Sequence, residues 1–201
     1  MDKIIEAVKK LITPEKTIVI GIDGLGGSGK STISEVIKDT LIEDGINTVL
    51  LHIDDFIHPR TVRYNENYEE WECYKYLQWR YDYLIREIIK PVKKGKEFSG
   101  EVEIYDKEND SYIMQRLEIP LGTVIIIEGV FLQRKELSGI FDYMVYIDVS
   151  ENERLKRVLK RDGYIGDEEQ IRKKYENRYF PAERKYFNSY SPRDNADIVI
   201  K

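Results

Sequence analysis

The sequence predicts an α/β fold in which a parallel sheet is covered by helices on both faces. The first observation is that short apolar segments rich in β-branched residues alternate with longer segments of helical periodicity, which is typical of such folds. The second is the length of 201 residues, which suits a single domain over residues 1–201. The predicted strands are residues 17–22, 47–53, 123–128, 143–149 and 196–200.

The helices and one hairpin are predicted from periodicity and from the residues that end each segment. Apolar side chains share one face of an N-terminal helix within residues 1–14, which Thr13-Pro14 ends. Gly45 is a C-cap for the second helix, and Ser150 begins a capping box for the helix after the fourth strand. Further helices are predicted over residues 30–43, 67–89 and 167–186, and a β-hairpin over residues 101–119.

The charge balance limits the kinds of partner. The chain has 37 acidic and 32 basic residues, a formal net charge of −5. This argues against binding nucleic acid or an anionic membrane over a whole face, but it leaves room for a local pocket that binds a small polyanion. No run approaches the ~18 apolar residues that cross a bilayer, and the single cysteine, Cys73, fits a reducing compartment. We therefore expect a cytoplasmic protein with a small-molecule substrate.

The strongest motif is a glycine-rich loop between the first strand and the second helix. The segment GLGGSGKS at 24–31 matches G-x-x-x-x-G-K-[ST] in full. Glycines let successive main-chain N–H groups surround a phosphate, and the following helix directs its N-terminal dipole at the same anion. Lys30 can bridge the terminal phosphates, and the Ser31 hydroxyl can ligate Mg²⁺. The motif predicts a P-loop NTPase, against the alternative of a glycine-rich turn with a purely structural use.

Other motifs narrow the class of P-loop protein. The predicted nucleotide-binding residues are Gly24, Gly26, Gly27, Ser28, Gly29, Lys30, Ser31 and Thr32. No asparagine is followed by lysine, so the N-K-x-D motif of Ras-type GTPases is absent, and no segment resembles LSGGQ of ABC ATPases. A small-molecule kinase and a nucleotide-binding regulator remain.

The order of motifs along the chain resembles that of the uridine kinase family, within the larger group that holds phosphoribulokinase and pantothenate kinase. The segments that carry the resemblance are GIDGLGGSGKST (21–32), HIDDFIHP (52–59), EIYDKENDSY (103–112), VIIIEGVFL (124–132), RLKRVLKRD (154–162) and NADIVI (195–200). The resemblance implies a three-layer P-loop fold with a five-stranded parallel sheet, a small β-hairpin and a helical lid over residues 154–166. It also implies ATP, or another NTP, and Mg²⁺ as cofactors.

Two carboxylates are catalytic or metal-binding candidates. Asp54 follows the end of the second strand, and the resemblance makes it the group that accepts the substrate hydroxyl proton close to Mg²⁺. The alternative is that Asp54 and its neighbour Asp55 only form the turn. Glu128 ends a β-branched strand beside the phosphate loop and can hold Mg²⁺ directly or through water, or it can be a solvated loop residue.

The arginines of the predicted lid share one helical face. Arg154, Arg157 and Arg161 recur at three- and four-residue spacing, which is ordinary for a charged outer face. The resemblance implies that Arg157 and Arg161 close over the transferring phosphoryl group, whose spread charge suits guanidinium forks. Because such cations repel one another without an anion, we expect an open lid until phosphate arrives. Arg178 can replace a further arginine that the family often carries just beyond this helix.

The acceptor site follows the resemblance less closely. The resemblance implies that Tyr105 and Asp106, together with Asp54 and Arg178, bind the substrate. Uridine kinases carry an aromatic residue and a histidine after the Tyr-Asp pair, whereas residues 107–110 read KEND. We expect a kinase for a hydroxyl of a small metabolite, with a nucleoside as the first candidate. Pantothenate, a sugar phosphate or glycerate as acceptor, and a non-catalytic nucleotide-binding regulator, are the alternatives.

Two further expectations concern packing. Tyr76, Trp79 and Tyr83 lie off the main apolar stripe of the 67–89 helix, which indicates complete burial, a homo-oligomer interface or a stacking wall. His52 lies within a strand, and we expect it to be a packed residue.

Overall fold

A computed structural model describes residues 1–201, and its centre is a five-stranded, all-parallel sheet. The strands of this sheet are β1 (Ile18–Gly24), β2 (Thr48–His52), β5 (Val124–Gly129), β6 (Tyr143–Ile147) and β7 (Ile198–Ile200), in the spatial order β2-β5-β1-β6-β7. Two further strands, β3 (Phe98–Asp106) and β4 (Ser111–Ile119), pair antiparallel as a separate hairpin. The predicted P-loop α/β fold is confirmed, and each strand lies within three residues of its predicted bounds.

Helices lie on both faces of the sheet. They are α1 (Asp2–Leu11), α2 (Lys30–Glu43), α3 (Arg60–Arg63), α4 (70–77), α5 (81–93), α6 (Glu151–Arg161), α7 (168–190) and α8 (Pro192–Asn195). Three of them contain π-helical segments, at Cys73–Leu77, Leu84–Ile89 and Tyr175–Tyr179. None of the helices combines the length and the apolar character that a bilayer crossing requires.

Alternate residues of the central strands separate two apolar cores. Ile18, Ile20 and Ile22 of β1 pack with α1 and α2 on one face. Val19 faces the larger core on the other side, which contains side chains from α4, α5 and the hairpin. This alternation is the reason that the strands are apolar throughout, because neither face of the sheet is exposed to water.

The predicted helix over residues 67–89 is interrupted, and that prediction is wrong at its centre. Residues 78–80 form a non-helical strap between α4 and α5, in which Gln78 O accepts from His58 N at 2.8 Å and Arg80 N donates to Phe56 O at 2.9 Å. These bonds join the strap to the segment that follows Asp54. The last long helix is also longer than predicted, since it ends at Tyr190 and not at residue 186.

Candidate active site

The chemically important residues meet where β1, β2 and β5 end. β5 lies between the other two strands, and Glu128 pairs in register with Ile22 of β1 and His52 of β2. The phosphate loop leaves β1 at this edge, and Asp54 follows β2 by two residues. Carboxyl ends of parallel strands are the usual ligand site in open α/β sheets.

The phosphate loop is preorganised by its own main chain. Gly29 is the N-cap of α2 with φ of +95°, a conformation that glycine adopts without strain. The Lys30 side chain points back along the loop, and its Nζ donates to Leu25 O at 3.3 Å. The buried Ser28 hydroxyl has no protein partner. A glycine-lined loop with a lysine and an unpaired hydroxyl fits a bound phosphate group.

Glu128 forms the centre of an oxygen-rich cluster. Ser31 Oγ donates to Glu128 Oε1 at 3.2 Å, and His52 Nδ1 lies 2.7 Å from the same oxygen. Burial opposes ionisation of Glu128, but the His52 hydrogen bond and the Lys30 charge outweigh it and lower its pKa. The Glu128 hydrogen bond raises the pKa of His52. His52 is therefore a partner of Glu128 with a side chain 35% exposed, and the expectation of simple packing is wrong.

Asp54 lies on a short 3₁₀ turn, Ile53–Asp55, directly after β2. The Asp54 residue is exposed to solvent at this edge of the sheet. Neighbouring protein groups displace water from the carboxylate, which raises the pKa of Asp54, and the Glu128 charge raises that pKa further. Hydroxyl and carboxylate oxygens are the donors that Mg²⁺ prefers, so Ser31 and Glu128, whose oxygens lie 3.2 Å apart, could hold that ion, with Asp54 on the neighbouring turn.

Gly129 allows the end of β5, which holds Glu128, to lie close to the turn that holds Asp54. A Cβ atom at this position would lie 2.0 Å from Ile53 Cγ2, so no side chain fits between the end of β5 and the turn that holds Asp54.

Helix α6, which contains most of the predicted lid, lies against the phosphate loop. Arg157 Nη1 donates to Ser28 O at 3.3 Å and its Nε lies 3.3 Å from a Glu153 carboxylate oxygen. Arg161 Nε donates to Asp162 at 2.6 Å, and its Nη2 donates to Tyr175 OH at 3.4 Å. The expectation that these arginines face no anion and repel one another is wrong, because each has a carboxylate partner.

Arg154 is not part of a solvent-exposed face, which corrects the sequence interpretation. It is 2% exposed and forms an ion pair with the buried Glu183 of α7 at 2.8 Å. Glu183 also accepts a hydrogen bond from Gly26 N in the phosphate loop. Sequence reasoning missed Glu183, since it stands in a charged segment, PAERK, that is typical of an exposed helix.

A second missed residue, Asp23, lies behind the phosphate loop. It is fully buried in β1 and accepts hydrogen bonds from Tyr186 OH at 2.5 Å, Gln133 Nε2 at 3.1 Å and Gly24 N at 2.8 Å. Burial raises the pKa of Asp23 against these hydrogen bonds. A carboxylate within an otherwise apolar strand was the available signal in the sequence.

The predicted acceptor residues are divided between two places. Tyr105 OH donates to Asp110 at 2.6 Å and accepts from Arg63 Nη2 at 2.6 Å, next to the segment after β2. Asp106 caps the hairpin turn, where it accepts from Glu108 N at 2.9 Å. Arg178 is 1% exposed beneath α3 and α4, where it donates to Glu70 O at 3.2 Å and to Arg63 O at 3.4 Å, and its replacement of a lid arginine stays a prediction.

Comparison with known proteins agrees with this fold. A family model described as Phosphoribulokinase / Uridine kinase family matches residues 19–201. A solved structure of a possible uridine kinase from Bacillus stearothermophilus is 32% identical with a TM-score of 0.79, and the match covers 100% of this chain and 96% of that chain. A uridine kinase of Macrococcus caseolyticus is 27% identical over 195 residues, 92% of this chain and 88% of the relative. D-glycerate 3-kinase from Cryptococcus neoformans has the same fold, with a TM-score of 0.59 at 13% identity over 89% of this chain and 82% of that chain.

The parallel sheet, the phosphate loop and these matches define a small-molecule kinase of the P-loop class. The chain belongs to the phosphoribulokinase/uridine kinase family, whose model spans nearly its whole length.

Proposed function

We propose that this protein transfers the γ-phosphoryl group of ATP to a hydroxyl of a small metabolite, with a nucleoside as the first acceptor to test. The observation that carries the proposal is the convergence of Lys30, Ser31, Glu128 and Asp54 at one edge of the sheet. Such a group provides both a cradle for phosphates and a carboxylate for the attacking hydroxyl.

Each residue has a distinct role in this proposal. The main-chain N–H groups of residues 24–32 bind the β- and γ-phosphates, and Lys30 leaves Leu25 O to neutralise them. Ser31 and Glu128, with Asp54 beside them, would hold Mg²⁺, which reduces the charge on the phosphates when bound. Asp54 accepts a hydrogen bond from the acceptor hydroxyl and takes its proton as the new oxygen–phosphorus bond forms.

The lid supplies the remaining positive charge. Arg157 already contacts the phosphate loop through Ser28 O. Arg161 lies one turn further along α6 and must leave Asp162 to reach the transferring group. Closure of residues 154–166 then excludes water, which protects the γ-phosphoryl group from hydrolysis.

The acceptor class rests on the relatives and on the hairpin. Proteins described as uridine kinases match most of the chain, which supports a nucleoside, with Tyr105, Asp106 and Arg178 as the proposed acceptor residues. The KEND segment at 107–110 lacks an aromatic residue and a histidine, which favours pantothenate, a sugar phosphate or glycerate as the second candidate.

A coupled ADP-release assay tests the proposal. The acceptors are uridine, cytidine, adenosine, pantothenate, ribulose 5-phosphate and D-glycerate, each with ATP and with GTP as donor. We expect at least one acceptor to stimulate release in the wild type and none to do so in Lys30→Ala. Tight ATP binding without stimulation by any acceptor would support a nucleotide-binding regulator in place of a kinase.

A further inference from the structure

Arg178 carries a buried charge that the protein does not neutralise. The residue is 1% exposed, and its hydrogen bonds go to Gln78 Oε1 at 2.9 Å, Glu70 O at 3.2 Å and Arg63 O at 3.4 Å. All three acceptors are uncharged, and the buried Nε has no partner at all. Burying a guanidinium among neutral groups is costly, so an unpaired one suggests that an anion arrives from outside.

Two more cations join Arg178 around one aromatic ring. The centroid of the Tyr64 ring lies 4.3 Å from Arg178 Cζ, 4.9 Å from Lys174 Nζ and 5.6 Å from Arg63 Cζ. We call Arg63, Lys174 and Arg178 the basic cluster. Two carboxylates lie near it: Glu70 is 3.5 Å from Lys174 and Asp110 is 4.0 Å from Arg63. The cluster therefore keeps a net positive charge, and the buried Nε of Arg63 is also unpaired.

The basic cluster lies on the acceptor side of the site. Tyr74 is a neighbour of the cluster, with its ring centroid 5.5 Å from Arg178 Cζ, and burial together with the Asp54 charge raises the pKa of Tyr74. Arg63 also donates to Tyr105 on the hairpin at 2.6 Å. An acceptor bound at both places would have its hydroxyl at Asp54 and a second group at Arg178.

We infer that the phosphoryl acceptor carries an anionic group, a carboxylate or a phosphate ester, and that the basic cluster binds this group beneath Tyr64. The inference rests on the proposed kinase function and refines its acceptor class from a neutral nucleoside to an anionic hydroxy compound. Tyr64 is 42% exposed and covers the Arg178 guanidinium, so its ring must rotate outwards when the anion enters. The ligand anion then gives Arg178 the charged partner that it lacks.

Matched pairs of acceptors provide the first experiment. The pairs are D-glycerate and glycerol, pantothenate and panthenol, and ribulose 5-phosphate and ribulose; the first member of each is anionic, and the pairs separate carboxylate from phosphate recognition. We expect the preferred anionic member to exceed its neutral partner in kcat/KM by about tenfold to a hundredfold, the usual value of a hydrogen bond to a charged group. Equal use of both members, or turnover of uridine alone, would overturn the inference.

Variants distinguish recognition from support of the fold. Arg178→Met should raise KM for the anionic acceptor by about tenfold or more while KM for ATP stays unchanged. Lys174→Met, at a partly exposed position, is the second variant in case Arg178→Met does not fold, and it should raise the same KM by a smaller factor. Arg172→Met, an exposed position on the same helix, is the control. An equal rise in KM for ATP and for the acceptor would assign Arg178 a structural role only.

Calorimetry of a kinase-dead protein separates this inference from the proposed function. D-glycerate and ribulose 5-phosphate are titrated into Lys30→Ala and into Lys30→Ala/Arg178→Met. Binding to the first protein and not to the second supports the anion site even if no acceptor is turned over. Binding of neither compound to Lys30→Ala overturns it, whether or not uridine is phosphorylated.

Discussion

Glu183 Oε1 accepts a hydrogen bond of 2.7 Å from the main-chain N–H of Gly26, a residue 157 positions earlier in the chain. The carbonyl of Gly26 is held as well, because it accepts from Arg154 Nη1 at 2.9 Å, and that same nitrogen lies 2.8 Å from Glu183 Oε2. One residue of the phosphate loop is thus fixed at both of its polar groups by α6 and α7. The start of α6 is thus joined to the phosphate loop through Arg154.

Removing the charge of Glu183 should weaken both the fold and nucleotide binding. In Glu183→Gln the buried Arg154 loses its anionic partner, which typically costs about 3–5 kcal/mol of stability. We expect a lower unfolding midpoint in urea and a rise of about tenfold in KM for ATP, because Gly26 no longer has a fixed position. Glu151→Gln, which removes an exposed carboxylate paired with Arg184, is the matched control and should change little. Similar behaviour of the two variants would contradict this role for Glu183.

Asp54→Asn should reduce turnover without preventing nucleotide binding. The amide keeps the size of the side chain but cannot take the hydroxyl proton, so kcat should fall by a factor of ~10² or more while Kd for ATP changes little. Stopped assays and calorimetry measure the two quantities separately. Asp55→Asn is the control on the same turn, and near-normal turnover in Asp54→Asn would transfer the catalytic role to Asp55.

The lid arginines should affect the chemical step more than ATP binding. Arg157→Ala and Arg161→Ala each remove a cation that we propose for the transferring phosphoryl group, so kcat should fall by about tenfold or more in each. Lys156→Ala is the control, because its side chain is 74% exposed and lies off the face that Arg157 and Arg161 share. Hydrogen exchange over residues 154–166 should slow when an ATP analogue and acceptor bind. Full activity of both arginine variants, with unchanged exchange, would mean that Arg157 and Arg161 only form a charged, solvent-exposed face of α6.

Asp142 predicts a pH dependence of stability at the far end of the sheet. It accepts from Val19 N at 2.8 Å and Lys93 Nζ at 2.6 Å, and although burial opposes ionisation, the Lys93 hydrogen bond and charge lower its pKa. A carboxyl group whose pKa is lower in the folded state stabilises the fold at pH values above its pKa in the unfolded chain. That stabilisation is lost as the pH falls through its pKa in the folded protein.

Asp142→Asn should therefore be less stable than the wild type by about 1–3 kcal/mol at pH 7. The difference should stay constant down to about pH 5 and narrow below the ordinary aspartate pKa of about 3.8. Urea unfolding at several pH values measures it. A difference that is unchanged at pH 3 would show that the packing of Asp142, and not its charge, stabilises the sheet.

The strands and the phosphate loop were predictable because their signals are local. Five apolar segments and one eight-residue motif carry the fold and the nucleotide site, and neither depends on distant partners. The break in the 67–89 helix was not predictable in this way. Its cause is main-chain pairing between residues 56–58 and 78–80, and the apolar periodicity on both sides of the break continues through it.

Charged residues were interpreted less well, because burial of a charge depends on a partner elsewhere in the chain. Arg154, Arg157 and Arg161 share a helical face, yet only Arg154 lies opposite Glu183 and is buried. The same holds for His52, whose role depends on Glu128, 76 positions later. Helical spacing assigns the arginines to one face of α6, but it does not identify the residues that pack against that face.

The close approach of Gly129 to Ile53 means that a substitution at residue 129 would change the distance between Glu128 and Asp54. Any carbon added at residue 129 must push the Asp54 turn away from the end of β5, since the added atom would lie 2.0 Å from Ile53 Cγ2. Gly129→Ala would thus widen the gap between Glu128 and Asp54, the two carboxylates that we propose for Mg²⁺, while leaving both side chains chemically intact. The distance between the two carboxylates therefore depends on the absence of a methyl group at residue 129, which itself has no polar side chain.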